Sequence, residues 1–272
     1  MLRQRILTAL LLAPLAILLI LAAPTWLFAP AVALVFLGAA WEWSQLSGVR
    51  GDAARGALLA FTAAVFALLW CWRATALWPA LIALGVAWWG LTCLWLRHFA
   101  FGAAPTAENR GLKLLAGLLV IVPGWVAATA LHGAQPHGHW WTFLALAIVW
   151  AADTGAYFSG RRFGRRKLAP NISPGKTWAG VYGAFAAGAL VALAGGWLLG
   201  VRDARLAGLV LLAVLTVAAS IVGDLLESLM KRHAQVKDSG TLFPGHGGLL
   251  DRLDSVFAAM PVFALGKLLL GL

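Results

Sequence analysis

Charged residues are scarce in this 272-residue sequence. Only 11% of its residues are charged and 62% are hydrophobic, whereas a soluble domain carries about 25% charged residues. So little charge cannot cover the surface of an ordinary soluble domain of this length. Apolar runs near the bilayer-spanning length of about 20 residues recur along the whole chain. The composition therefore predicts a polytopic integral membrane protein in contact with a lipid bilayer.

Cysteine is equally scarce. Cys71 and Cys93 lie in apolar segments, without a CxxC pair or a cluster of cysteine and histidine. This pattern excludes a disulfide framework and a cysteine-based zinc centre, and it predicts two small buried hydrophobic side chains. A removable signal peptide is not indicated, because the first apolar run leads directly into another. We interpret that first run as a retained span.

The apolar runs predict an all-α fold with about nine transmembrane helices. Pro24 and Pro30 leave open a short re-entrant hairpin in place of the first two spans. We separate N-terminal transmembrane helices, residues 1–131, from a C-terminal transmembrane region, residues 132–272, which holds the two polar segments described below, within one integral membrane unit. The predicted spans are residues 6–22, 25–46, 56–72, 77–96, 112–131, 140–159, 178–200, 205–224 and 253–271.

Lysine and arginine fall mainly in alternate loops. If the N-terminus is cytoplasmic, 17 of the 21 basic residues lie on the cytoplasmic side, as the positive-inside rule requires. This asymmetry explains the net charge of +11, and no nucleic-acid recognition motif accompanies it. The sequence therefore predicts a cytoplasmic N-terminus and no nucleic-acid partner. It leaves a homodimer open.

Acidic residues flank the glycine-rich segment DSGTLFPGHGG. Asp251 and Asp254 share one helical face at the start of the last span. The residues that share one face of the preceding helix, at spacing i, i+3, i+4 and i+7, are Asp224, Glu227, Ser228 and Lys231.

These carboxylates indicate either a metal site or ion pairs. Magnesium prefers oxygen ligands and is usually completed by water and substrate phosphate. The alternative is that Asp224 and Asp254 pair with Lys231, Arg232 or Arg252 at the span ends. Pattern alone leaves both interpretations open.

A second polar segment, GRRFGRRKLAPNISPGKTW, is strongly basic. It does not contain a P-loop, because the first glycine of that motif would fall at Pro170. Ser173, Lys176 and Thr177 are nevertheless suited to holding phosphates, whereas the arginines before them also suit anchoring to anionic lipid. Asp153, inside an apolar segment, requires a partner.

The segment from Ser228 to Asp254 resembles the signature of phosphatidate cytidylyltransferases, also called CDP-diacylglycerol synthases. Similarity continues upstream through GDLLES, SPGKTW, ADTGAYFSGRRFG and AAWEWSQLSG. Ala179 departs from the pattern, because many relatives carry Glu or Gln there. The matching signature positions are Ser228, Lys231, Arg232, Lys237, Asp238, Gly240, Phe243, Pro244, His246, Gly247, Gly248, Asp251, Arg252 and Asp254.

The resemblance implies a reaction in which CTP and phosphatidic acid give CDP-diacylglycerol and pyrophosphate, with magnesium as cofactor and a second cation left open. It implies Asp224, Asp251 and Asp254 as metal ligands and catalytic residues, together with Lys237. The residues expected to contact substrate are Asp153, Ser173, Lys176, Thr177, Glu227, Ser228, Lys231, Arg232, Asp238, His246, Gly247, Gly248 and Arg252. The alternatives are a CTP-dependent polyprenol or phytol kinase and a cation-coupled transporter.

Overall fold

The computed structural model describes residues 13–240 and 247–272. Within these residues the protein is a helical bundle with one short β-hairpin. The elements in chain order are α1 (Ala13–Ala22), α2 (Thr25–Leu46), α3 (Asp52–Cys71), α4 (Leu77–Arg97), α5 (Ala107–Gly133), α6 (Gly138–Phe163), β1 (Lys167–Ala169), β2 (Ser173–Thr177), α7 (Trp178–Leu198), α8 (Asp203–His233) and α9 (Leu250–Leu269).

Seven of the described helices, α2 to α8, are long and apolar enough to cross a bilayer. This confirms the predicted helical, polytopic membrane fold. The count of nine spans stays a prediction, because α1 is described over ten residues only. Helix α9 is not among these seven, since four charged residues, Asp251, Arg252, Asp254 and Lys267, lie within its 20 residues.

The observed helices follow the predicted spans closely, with two informative differences. Helix α8 continues to His233 instead of ending near residue 224, and this extension carries the polar face of the candidate site. The basic segment forms an antiparallel hairpin in which Lys167 pairs with Thr177, where no strand was predicted. Neither proline disrupts α2, because Pro24 precedes it and Pro30 lies inside its continuous 22 residues.

Buried tryptophans join the N-terminal helices to α5. The indole nitrogen of Trp125 donates to the Ala29 carbonyl at 3.0 Å, and that of Trp43 donates to the Lys113 carbonyl at 2.7 Å. Both rings are almost fully buried. Each therefore fills the core while its polar group is satisfied.

Glycines allow α6 and α7 to pack at short distance. A Cβ atom at Gly155 would collide with the backbone oxygen of Gly183, and a Cβ at Gly183 would collide with Ser159. Small residues permit close approach of helices in membranes. This contact places Asp153 of α6 beside the start of α7.

Contacts between loops show which loops share an end of the bundle. His233 Nε2 lies 2.7 Å from the Phe99 carbonyl, and Arg232 donates to the Ile172 carbonyl at 3.2 Å. At the other end, His132 lies 3.0 Å from both Thr25 Oγ1 and the Ile20 carbonyl. The loops after α4, α6 and α8 therefore meet at one end, which we call the basic end.

The prediction that both cysteines are buried is wrong. Cys71 and Cys93 are exposed free thiols on the outside of the bundle. Apolar side chains face outward in a chain surrounded by lipid, so hydrophobicity does not report burial here.

We expect single cysteines at the two ends of the bundle to react from opposite sides of the membrane. Asp238→Cys at the basic end and Gln135→Cys at the other are both at exposed positions. A Cys71→Ala, Cys93→Ala background removes the native thiols. Labelling in sealed vesicles with a membrane-impermeant maleimide measures sidedness, and labelling of both positions from one side would contradict this arrangement.

Candidate active site

A cavity of about 610 Å³ opens at the basic end, between β2 and helices α6, α7, α8 and α9. Its walls combine apolar and glycine residues from the helices with side chains of both charges. Seven of the predicted site residues line this cavity, and all seven carry a charged or hydroxyl side chain. They are Asp153, Lys176, Thr177, Asp224, Asp251, Arg252 and Asp254. Lining residues that lie as far apart in the sequence as Asp153 and Asp254 thus contribute to one pocket.

Close packing of α8 on α9 brings the acidic residues together. A Cβ atom at Gly223 would collide with the backbone oxygen of Asp254 and approach Ala258, so glycine permits this approach. Asp224, the next residue, and Asp254 consequently face the same cavity. Carboxylates so close at the end of apolar helices repel each other unless cations compensate them.

Lys176 supplies one compensating charge. Its Nζ lies 2.6 Å from Asp224 Oδ2, and the two side chains are 23% and 32% exposed. Ser228 also donates to Asp224 Oδ1 at 3.3 Å. Lys176 reaches α8 because β2 leads directly into α7, where Thr177 caps the helix by accepting from the Gly180 amide at 3.2 Å.

Lys231 supplies a second compensating charge deeper in the bundle. Its Nζ lies 2.6 Å from Asp251 Oδ1 and 3.0 Å from Glu227 Oε2. Side-chain exposure is only 12% for Lys231, 10% for Asp251 and 3% for Glu227. One buried ammonium therefore joins the polar faces of α8 and α9.

The glycine-rich segment is tied to Asp251 from both of its described sides. Asp251 Oδ2 accepts the amides of Ser239 at 3.0 Å and Gly248 at 2.7 Å, and the Ser239 hydroxyl lies 3.0 Å away. Gly247 has φ of +76°, a conformation that favours glycine. Asp251 is thus an anchor for this segment as well as a wall of the cavity.

Glu42, near the end of α2, is a residue of this site that sequence analysis missed. Its buried carboxylate accepts the amides of Leu249 at 2.9 Å and Leu250 at 2.8 Å. The Ser239 hydroxyl lies 2.7 Å from Glu42 Oε2. The available signal was a single acid inside the apolar stretch AAWEWSQL, which the bilayer disfavours unless it has partners.

The other predicted site residues lie around the cavity. Among the described residues, Lys237 and Asp238 are exposed and do not line it. Ser173 lies in β2. Arg232 connects α8 to the hairpin by donating a hydrogen bond to the Ile172 carbonyl. His246 falls outside the described residues, so its role stays a prediction.

The carboxylates fit a magnesium ion in donor chemistry. Within residues 13–240 and 247–272, no group of three or more histidine, cysteine, aspartate or glutamate residues is gathered closely enough to hold a metal. Magnesium, however, is commonly bound by one or two carboxylates together with water and substrate phosphates. Asp224 and Asp254, open to one cavity, match that requirement.

Comparison with known proteins gives a consistent result over the whole length. The profile described as "Cytidylyltransferase family" matches residues 3–269. The phosphatidate cytidylyltransferase of Pseudomonas aeruginosa is 41% identical over 269 residues, covering 97% of this chain and 96% of that protein. That of Haemophilus influenzae is 36% identical over 284 residues, covering 97% and 98%. That of Synechocystis is 46% identical over 147 residues, covering 54% and 50%.

We expect Lys231→Met to destabilise the fold strongly, because two buried carboxylates would lose their shared cation. Breaking a buried ion pair costs about 3–5 kcal/mol. Asp52→Asn is the control, since Asp52 is 87% exposed and pairs with Arg55 at 3.8 Å, a contact worth about 0–1 kcal/mol. Thermal unfolding in detergent micelles measures the difference. Equal small losses in both variants would contradict the role of Lys231.

Proposed function

Because this chain belongs to the cytidylyltransferase family, we propose that the cavity at its basic end is where CTP meets phosphatidic acid. The chain is a nucleotidyltransferase that converts these substrates to CDP-diacylglycerol and pyrophosphate. The assignment of the site rests on one observation, which is that charges of both signs line the same cavity. These are the cations of Lys176 and Arg252 and the carboxylates of Asp153, Asp224 and Asp254.

The reaction requires two anions to approach each other. A phosphate oxygen of phosphatidic acid attacks the α-phosphorus of CTP and forms a new phosphorus–oxygen bond. The bond between the α-phosphorus and the bridging oxygen breaks, and pyrophosphate leaves with that electron pair. No protein nucleophile is needed, and the lipid phosphate is already largely ionised near neutral pH. Catalysis then consists of positioning and of stabilising charge.

Cationic side chains counter the repulsion between the substrates. Lys176, from the hairpin, and Arg252, from the start of α9, both line the cavity. Each is placed to contact phosphate oxygens by charge-assisted hydrogen bonds. Holding the two substrates in one cavity by two cations from different elements would align the attacking oxygen with the departing pyrophosphate.

Asp224 and Asp254, with Asp251 beside them, are the residues we propose to hold magnesium. A bound divalent cation neutralises charge on phosphate oxygens. Asp251 also accepts three donors through Oδ2 and binds Lys231 through Oδ1. Its second role is therefore to keep the α8 and α9 carboxylates in register around the cavity.

We place the cavity on the cytoplasmic face of a bacterial inner membrane. Ten of the 21 basic residues lie in or beside the loops after α6 and α8. These loops meet at the same end of the bundle, which the positive-inside rule assigns to the cytoplasm. CTP is a soluble nucleotide, and phosphatidic acid is a membrane lipid. A cavity at the end of the bundle gives access to both.

Neither alternative function is supported. A kinase for polyprenol or phytol would phosphorylate an alcohol, whereas the relatives matched over nearly their full length are phosphatidate cytidylyltransferases. Transport sites usually lie near the midplane of the bilayer at broken helices. The carboxylates here lie where α8 and α9 meet the glycine-rich segment.

We expect the purified protein to release pyrophosphate from CTP only when phosphatidic acid and magnesium are supplied. Asp224→Asn should lower kcat by more than about a hundredfold, because several kcal/mol of transition-state stabilisation are lost. Asp203→Asn, at the opposite end of the same helix, should retain the parent rate. Near-normal turnover in Asp224→Asn would contradict its assignment to the site.

We expect Lys176→Ala and Arg165→Ala to separate substrate binding from membrane anchoring. Lys176→Ala should raise the KM for CTP, lower kcat, or do both, because it removes a cation from the cavity. Arg165 is exposed beside Arg166 and Lys167, and one surface cation near anionic lipid contributes about 1 kcal/mol. Separate KM values for CTP and phosphatidic acid show which of the two substrates Lys176 binds. Equal small effects would restrict the site to α8 and α9.

A further inference from the structure

Helix α9 begins without a cap of its own. Its N-cap residue is Leu249, which makes no side-chain capping hydrogen bond, and the first amides of a helix have no partner inside it. Asp251 and Asp254 lie in the first two turns, so the direction in which α9 starts also sets the direction of two carboxylates of the cavity. An uncapped first turn would not by itself hold these two carboxylates in a fixed direction.

Glu42 supplies the missing cap from another part of the chain. Its two carboxylate oxygens accept the amides of Leu249 and Leu250, although the residues are 207 and 208 positions apart in sequence. A negative charge at this place also interacts favourably with the helix dipole. The carboxylate is buried, with a residue exposure of 5%, so its position is fixed by packing.

The same carboxylate also reaches the other side of the glycine-rich segment. The Ser239 hydroxyl lies 2.7 Å from Glu42 Oε2 and 3.0 Å from Asp251 Oδ2. The Ser239 hydroxyl oxygen therefore lies within hydrogen-bond distance of both carboxylates and bridges them. Through Ser239, Glu42 acts on the oxygen of Asp251 that also accepts the Gly248 amide.

Two glycines of the segment make room for this carboxylate. A Cβ atom at Gly240 would collide with Glu42 Oε1 and Cδ, and a Cβ at Gly248 would collide with Glu42 Oε2 and with Ser239 Oγ. Neither glycine has a positive φ, so backbone conformation does not account for them. Glycine is required at both positions because the Glu42 carboxylate occupies the space that a Cβ atom would take.

We propose that Glu42 is a positioning residue of the active site. Its carboxylate fixes Ser239 and the first turn of α9, and thereby the orientation of Asp251 toward the cavity. It does not line the cavity itself. This inference rests on the proposed function, because its consequence is measured as turnover of CTP and phosphatidic acid.

The first test is Glu42→Gln, which keeps the shape but presents amide hydrogens to groups that themselves donate. We expect kcat per folded protein to fall about tenfold or more, with a smaller change in the KM for CTP. The control is Ser44→Ala, because Ser44 is buried near the same end of α2 and its hydroxyl donates to the Trp41 carbonyl in the same helix. Assays are run well below the unfolding temperature. A kcat for Glu42→Gln within twofold of the parent overturns the proposal.

The second test is Gly240→Ala, which retains Glu42 but displaces its carboxylate. We expect a similar loss of kcat, whereas the control Gly111→Ala, where a Cβ meets nothing within 4 Å, should retain activity. In the double variant with Glu42→Gln the two losses should not multiply, because both act through one carboxylate. Multiplying losses would indicate independent structural damage and overturn the proposal.

If Glu42→Gln yields no folded protein, Gly240→Ala decides the question alone. Parent kcat in that variant overturns the inference, and a selective fall in kcat supports it. The two proposals also fail differently. An inactive parent protein contradicts the proposed function, whereas an active parent with unaffected variants contradicts only the role of Glu42.

Discussion

The cost of placing carboxylates next to hydrocarbon is the constraint on which this structure depends. An ionised acid at the end of an apolar helix is tolerated only when cations or hydrogen-bond donors compensate it. Lys176 compensates Asp224, and Lys231 compensates both Asp251 and Glu227. Lys176 joins β2 to α8, and Lys231 joins α8 to α9. Compensation of charge therefore also holds the elements of the site together.

Glycine is what brings these compensating groups close enough. Gly223 allows α8 to approach the backbone of α9, and Gly155 with Gly183 allows α6 to approach α7. In a membrane the hydrophobic effect does not drive helices together, so close packing and polar contacts carry more of that task. The same contacts that stabilise the bundle thus place acids and cations around one cavity.

The site is a product of the whole chain and not of its C-terminal part alone. Among the described residues, the hydrogen bonds with the greatest sequence separation join Glu42 in α2 to Ser239, Leu249 and Leu250. The segment that resembles the family signature is held by an acid roughly 200 residues earlier, together with Asp251. For the proposed transfer reaction, this connection matters because the two phosphates must be correctly aligned for the transfer.

The sequence by itself determined the membrane class, the approximate helix positions and the family. These depend on composition, on hydrophobic run length and on a motif with fixed spacing, all of which are local properties. It also predicted Lys176, Asp224, Asp251 and Asp254 as site residues, because charges are conspicuous in an apolar chain, and these four residues line one cavity. It did not identify the hairpin at Lys167–Thr177, the exposure of Cys71 and Cys93, or the part taken by Glu42. Only the tertiary structure decided these, since lipid-facing and buried residues are equally apolar, and a buried acid is explained only by distant partners that folding brings to it.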